Sequence, residues 1–178
     1  MFLTLAQQQA LKPISPNWCS FTKFTGGVTN FEQLATEVEE LELKKLLGAA
    51  FLQAIQATPG DYTILLAGGS YTNSYDETVA FKGIRYILAY MNFSKYIGES
   101  YIADTFTGMV RKRREETEGL SIGEIKMLQA DAREMAMQEW ELLKDYMDLN
   151  SELYPLWHCA RTKKVYRPKF TGVKKTLL

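Results

Sequence analysis

Apolar residues recur at helical spacing over one long stretch of the chain. From Ser121 to Leu149, Ile125, Leu128, Ala132, Met135, Ala136, Leu142, Leu143 and Tyr146 alternate with Glu124, Lys126, Asp131, Glu134, Glu141, Lys144, Asp145 and Asp148, the pattern of one amphipathic helix. Ser121 with Glu124 three residues on reads as a capping box at its start. At ~1.5 Å per residue the rod is roughly 43 Å long, so everything upstream has to pack along it. Asn150 reads as its stop, and Pro155 prevents the helix from resuming. Leu153, Tyr154, Leu156 and Trp157 are predicted to fold back onto the body as an apolar clasp.

The same reading divides the rest of the chain. Asn30 is a suitable N-cap for a first helix whose stripe is Phe31, Leu34, Val38, Leu41 and Leu46. Gly48 interrupts it, Phe51, Leu52 and Ile55 mark a second helix, and Thr58-Pro59-Gly60 stops that one. Tyr62 onward gives a further turn or two before Gly68-Gly69. Residues 70–80 alternate and are rich in Tyr, Thr and Val, which predicts a β-hairpin turning near Asn73-Ser74 or Asp76-Glu77. Phe81 to about Tyr101 is a third long helix, burying Ile84, Ile87, Leu88, Met91 and Tyr96, and Thr105–Gly108 breaks it. The expected fold is mainly α: a small helical bundle built on the 121–149 helix, with a β-hairpin. An extended N-terminal arm (1–29) precedes the helical domain (30–157), and a tail (158–178) follows it.

Charge changes this picture. Formal net charge is zero, but residues 1–31 hold only Lys12 and Lys23 and no acid. Residues 32–157 hold all 21 acids against 12 basic residues, a net of −9. The tail then carries Arg161, Lys163, Lys164, Arg167, Lys169, Lys174 and Lys175 with no acid. An acidic body with a basic tail is a dipolar subunit, suited to self-assembly or to a partner of opposite charge. The arm carries Trp18, Phe21 and Phe24, which either fold back on their own core or dock on a neighbouring copy. The quartet Arg111, Lys112, Arg113 and Arg114 reads either as a phosphate contact or as a solvated loop neutralised by Glu115, Glu116 and Glu118. These three groups are the candidate partner contacts.

Candidate chemistry is sparse. Cys19, Cys159 and His158 have no metal-knuckle spacing and read as two free thiols and a lone imidazole. Glu32, Glu37, Glu39, Glu40 and Glu42 read as a solvated helix face. Gly68-Gly69 lacks the Gly-Lys-Ser/Thr ending of a phosphate cradle. No catalytic, cofactor or metal residue is expected, and no enzyme. The first residues lack a basic region ahead of an apolar run, and no stretch approaches a membrane span, so a cytosol-like setting is expected. Beside a structural role, the residues allow a nucleic-acid-binding module that uses the tail and Arg111–Arg114.

Four blocks carry a family resemblance: Leu43-Lys44-Lys45-Leu46-Leu47-Gly48 with Phe51-Leu52; Lys82-Gly83-Ile84-Arg85-Tyr86-Ile87-Leu88-Ala89-Tyr90; Thr105-Phe106-Thr107-Gly108-Met109-Val110-Arg111-Lys112; and Asn150 with Tyr154-Pro155-Leu156-Trp157. In order and spacing they resemble the head–tail connector (neck, or adaptor) proteins of tailed bacteriophages. The branch in question is that of Bacteroidota phages, including the crAss-like phages with their ring proteins. The resemblance spans Phe31 to Trp157 and leaves out the arm and tail. It implies a helical bundle with a hairpin, set in a ring of commonly twelve copies below the portal and around the DNA exit channel. It further implies the portal and adjacent tail or ring proteins as partners, non-specific contact with genomic DNA, a place in the virion after synthesis in the host cytoplasm, and no enzymatic activity.

Overall fold

The computed structural model describes residues 1–14, 30–100, 102–105, 108–111 and 121–157. In chain order these form α1 (Leu5–Leu11), α2 (Asn30–Val38), a π turn (Glu39–Leu43), α3 (Lys44–Leu47), α4 (Ala49–Ala57), a 3-10 turn (Pro59–Tyr62) and α5 (Thr63–Ala67). There follow strands β1 (Gly69–Thr72) and β2 (Thr78–Phe81), α6 (Gly83–Ser100), β3 (Ile102–Thr105), β4 (Gly108–Arg111) and α7 (Ile122–Leu149). The protein is mainly helical, with small antiparallel hairpins.

The body is organised on α6 and α7, which lie antiparallel and are clamped at both ends. At one end the Ser94 hydroxyl donates to the Gln129 carbonyl at 2.9 Å, and the Gln129 amide donates back to the Ser94 carbonyl at 3.1 Å. Gly98, one turn along α6, leaves room for that amide: a Cβ there would lie 2.5 Å from Gln129 Nε2. At the other end the Lys82 N–H donates to the Glu139 carboxylate at 3.0 Å. Between the clamps Ile84, Ile87, Leu88 and Met91 join Ala136, Trp140, Leu143 and Met147 in one core. Ser121 caps α7 through the capping box expected of it: its hydroxyl accepts from the Glu124 N–H at 3.2 Å, and the Glu124 carboxylate accepts from the Ser121 N–H at 2.7 Å. Those bonds hold the Glu124 carboxyl below the usual carboxylate range.

The face that α7 buries is rotated from the one its spacing predicts. Ile125, Ala132, Ala136, Trp140, Leu143, Tyr146 and Met147 are inside, whereas Leu128 and Met135 are each 39% exposed. The helix carries two apolar stripes, and packing against α6 takes the one that includes Trp140 and Met147.

A π turn explains a second difference. Val38 is buried, but Leu41 is 56% exposed, and Leu43 and Leu47 take the inward places instead. The wider turn at Glu39–Leu43 changes the phase of the inward face, so that Leu43 and Leu47 are buried in place of Leu41 and Leu46. Glu39, expected on a solvated face, follows buried Ala35 by one helical turn and is itself only 3% exposed. Its carboxylate accepts a 2.6 Å hydrogen bond from the Phe2 N–H.

The beginning of the expected extended arm is helical and packed on its own core. Thr4 and Gln7 form a capping box for α1, and Phe2 and Leu3 enter the main core. Gln8 is fully buried: its amide donates to the Lys12 carbonyl at 2.7 Å and the Ala89 carbonyl at 3.1 Å, and its own oxygen accepts from Asn92 at 3.3 Å. Lys12 rests over the rings of Tyr90 and Phe93. Residues 15–29 of the arm lie outside the described residues. Asn30, read as an N-cap, is already helical, and α6 starts at Gly83 and ends at Ser100. Thr105–Gly108 does more than end a helix, because it joins β3 to β4 in a hairpin that the spacing left unassigned.

Where α5 meets β1 and β2 meets α6, two backbones touch through glycine. Gly68 (φ 96°) and Gly83 (φ 78°) both have left-handed φ. A Cβ on Gly83 would lie 2.5 Å from the Gly68 nitrogen and 2.8 Å from the Leu65 carbonyl oxygen, all main-chain atoms that cannot swing aside. Gly83→Ala is therefore expected to destabilise the fold by at least ~2 kcal/mol, read as the midpoint of denaturant unfolding, whereas Gly60→Ala, at a position open to solvent, leaves it within ~0.5 kcal/mol.

Candidate interaction surfaces

Three places on the body present features suited to a partner. The first is the β1–β2 hairpin, paired Gly69↔Phe81, Ser70↔Ala80, Tyr71↔Val79 and Thr72↔Thr78. Its base is fixed by aromatic packing: Phe81 stacks on Tyr146 with ring centres 4.7 Å apart, and Tyr71 sits 5.9 Å from the same ring. Burial, reinforced by the nearby Asp145 charge, raises the Tyr71 phenol above its ordinary value. Asn73 shapes the tip, its side-chain oxygen accepting from the N–H groups of Tyr75 at 2.9 Å and Glu77 at 3.0 Å. The rigid turn holds Tyr75 outward, 82% exposed.

The second is the clasp. Asn150 ends α7, its side-chain amide donating to the Tyr146 carbonyl at 2.9 Å. The chain then crosses the helix end in short turns, with Trp157 N–H donating to the Tyr154 carbonyl at 3.0 Å. Tyr154 and Trp157 are buried as expected, but Leu153 and Leu156 face solvent. Trp157 meets Trp140 edge-on at 5.8 Å and donates its indole N–H to Asp148 at 2.8 Å. Burial, then the hydrogen bond with Tyr146, drives the Tyr154 phenol well above its ordinary range. The basic tail therefore departs from a firmly packed root.

The third is a flank of α7 that packing leaves partly exposed, with Leu142 against the main core. Leu128, Met135, Leu142 and Leu149 stand seven residues apart on it; Leu142 is half-buried and the other three are exposed. Glu124, Asp131, Gln138 and Asp145 form a parallel row one step further out.

Of the candidate partner contacts, Arg111 ends β4, opposite Ile102. Trp18, Phe21, Phe24, Lys112, Arg113, Arg114, Arg161, Lys163, Lys164, Arg167, Lys169, Lys174 and Lys175 lie outside the described residues, as do Cys19, His158 and Cys159. Among the described residues no three His, Cys, Asp or Glu side chains gather to hold a metal ion, and no helix is long and apolar enough to cross a membrane.

An ion cluster bridges α2 and α6. Lys95 pairs with Glu37, and with Glu99 at 3.9 Å. The Lys95 hydrogen bond holds the Glu37 carboxyl below its ordinary value, while burial raises that of Glu99.

Residues 43–167 match a family of unknown function, DUF6712. The chain belongs to that family. No curated protein and no solved structure matches it. The DUF6712 span opens at Leu43, where the π turn ends, and runs through both hairpins, α7 and the clasp into the tail. Helices α1 and α2 fall outside the DUF6712 match.

Two measurements check this description. Trp157→Ala is expected to cost ~3–5 kcal/mol in chemical denaturation, because it empties a buried site against Trp140 and removes the indole hydrogen bond to Asp148. Trp157→Phe, which keeps part of the packing, should lose less than half of that. The Glu37–Lys95 pair contributes stability above the ordinary carboxylate range and loses it as pH falls through the lowered pKa of Glu37. Glu99 has the opposite sign, its contribution fading as pH rises through its raised pKa. Removing Lys95 (Lys95→Met) should flatten the acid limb of the unfolding free energy plotted against pH by ~1 kcal/mol or less, since both partners are part-exposed.

Proposed function

We propose that this chain is a structural virion protein that assembles into a ring between the portal and the tail of a tailed bacteriophage. The ring, of twelve copies, bridges head to tail around the DNA exit channel. The chain works by joining proteins and carries out no reaction.

One observation carries the reading: the four sequence blocks that resemble the connector proteins all fall where the chain changes direction. The first covers the end of the π turn and the Gly48 break, and the second the Gly83 contact and the start of α6. The third spans the β3–β4 hairpin, and the fourth the Asn150–Trp157 clasp. Residues that set turns and junctions determine a fold's connectivity, so their agreement in order bears on architecture more than an equal number of matched surface positions would.

Two further features support it. The acidic body and the acid-free tail give each copy complementary ends, and contacts between unlike surfaces of identical subunits close into cycles. The hairpin tip holds Tyr75 exposed, where it reaches a neighbour more readily than a core face would.

The test is made on the particle. Virions of the phage that encodes this chain, purified and examined by mass spectrometry and electron microscopy, should contain it in a rotationally symmetric ring directly below the portal. Its absence from purified virions, or its presence only as scattered single copies, overturns the reading.

A further inference from the structure

The partly exposed flank of α7 has a pattern that the core explains only at Leu142. Leu128, Met135, Leu142 and Leu149 form an apolar row with a seven-residue repeat, the spacing of a seam along which another segment lies. Leu128 and Met135 are 39% exposed and Leu149 is 56% exposed. Glu124, Asp131 and Asp145 edge the row with negative charge, and Asp131 and Asp145 enter no ion pair among the described residues. An occupant of this flank therefore needs apolar side chains interleaved with positive charge and no acids.

We infer that this flank is the seat for residues 158–178 of a second copy of the same chain. That segment carries seven basic residues and no acid, with Val165, Tyr166, Phe170 and Val173 among them. Its charge and apolar content complement those of the row. It also has the reach: 21 residues at ~3.3 Å span roughly 70 Å extended, against roughly 42 Å for the 28 residues of α7.

The tail leaves at the C-terminal end of α7, where Trp157 packs on Trp140 and Tyr154 packs on Tyr146. A tail exchanged between copies, in place of one folded back on its own helix, makes the joint that the proposed self-association needs. Repeating that contact joins copies head to tail, the arrangement that closes into a ring. The inference rests on the self-association in the proposed function and adds the surface and the segment that make the joint.

The experiment uses the full chain. Met135 is replaced by p-benzoylphenylalanine, equal amounts of 15N- and 14N-labelled protein are mixed at 150 mM salt, and the sample is irradiated and mapped by mass spectrometry. The expected result is cross-links from position 135 to peptides within 158–178 that pair one heavy with one light partner. If the Met135 variant does not fold, the same probe at Asp131 gives the same reading. In sedimentation velocity, Asp131→Lys/Asp145→Lys should weaken self-association about tenfold, as should Lys174→Glu/Lys175→Glu. Combining all four changes should restore it to within about threefold.

Cross-links to the tail that are only light–light or heavy–heavy overturn the inference in favour of the chain's own tail. Cross-links to residues 101–120 show that another segment covers the row, and also overturn it. A chain that stays monomeric with no intermolecular cross-link does the same. Heavy–light cross-links in a protein absent from virions would leave this joint standing and remove the virion role. Twelvefold rings in virions with position 135 attached elsewhere would do the reverse.

Discussion

The antiparallel contact of α6 and α7 sets the geometry of everything else. Ser94 and Gln129 exchange hydrogen bonds through each other's main chain, a reciprocal arrangement that tolerates little sliding or rotation. With Lys82 and Glu139 fixing the far end, the two helices have one register. The smaller elements then occupy the space that register leaves. The π turn and α3–α4 lie on the side of α7 marked by Arg133, which bonds to Glu42 at 2.8 Å. The β1–β2 hairpin lies on the side marked by Tyr146. What remains exposed is a consequence of that choice: on one flank of the long helix Leu128, Met135 and Leu149 stay open to solvent, while Leu142 packs against the main core.

The aromatic residues gather at one end of this pair rather than along it. Phe51, Tyr62, Tyr71, Phe81, Trp140, Tyr146, Tyr154 and Trp157 meet ring to ring where α4, the hairpin, the end of α7 and the clasp converge. Large flat side chains bury much area for few frozen torsions, so a cluster of them stiffens a junction of four short elements that could not each bury a core alone. The opposite end, toward β3–β4, relies on the second, smaller cluster of Ile14, Phe31 and Ala35 with Phe93 and Tyr96. The body is thus firm at the end from which the tail departs.

Much of this was legible in the chain itself, and the parts that were not have physical reasons. Capping chemistry is local, so Ser121 and Glu124 marked the start of α7 correctly. Gly48, Pro59 and Gly68 likewise act within a residue or two of themselves. The π turn left no trace because Glu-Glu-Leu-Glu-Leu suits an ordinary helix equally well; only tertiary packing chose the wider turn and with it the inward places of Leu43 and Leu47. On α7 two apolar stripes competed, and composition could not say which would meet α6. The second hairpin did carry a signal: β-rich Ile102–Thr105 and Gly108–Arg111 stand two residues apart with glycine after the turn. Of the interaction surfaces, the charged tail was readable from composition, whereas the seam on α7 became visible only once the buried face was known.

The position of Trp157 has a mechanical consequence. Any pull on residue 158 and beyond meets first an indole wedged against Trp140 and tied to Asp148, with Tyr154 behind it. Load entering there passes sideways into the final turns of a 28-residue helix and is spread along its whole length. Trp157 therefore works as a cleat: a pull on the chain beyond it has to break the Trp140 packing and the Asp148 bond before it reaches the end of α7.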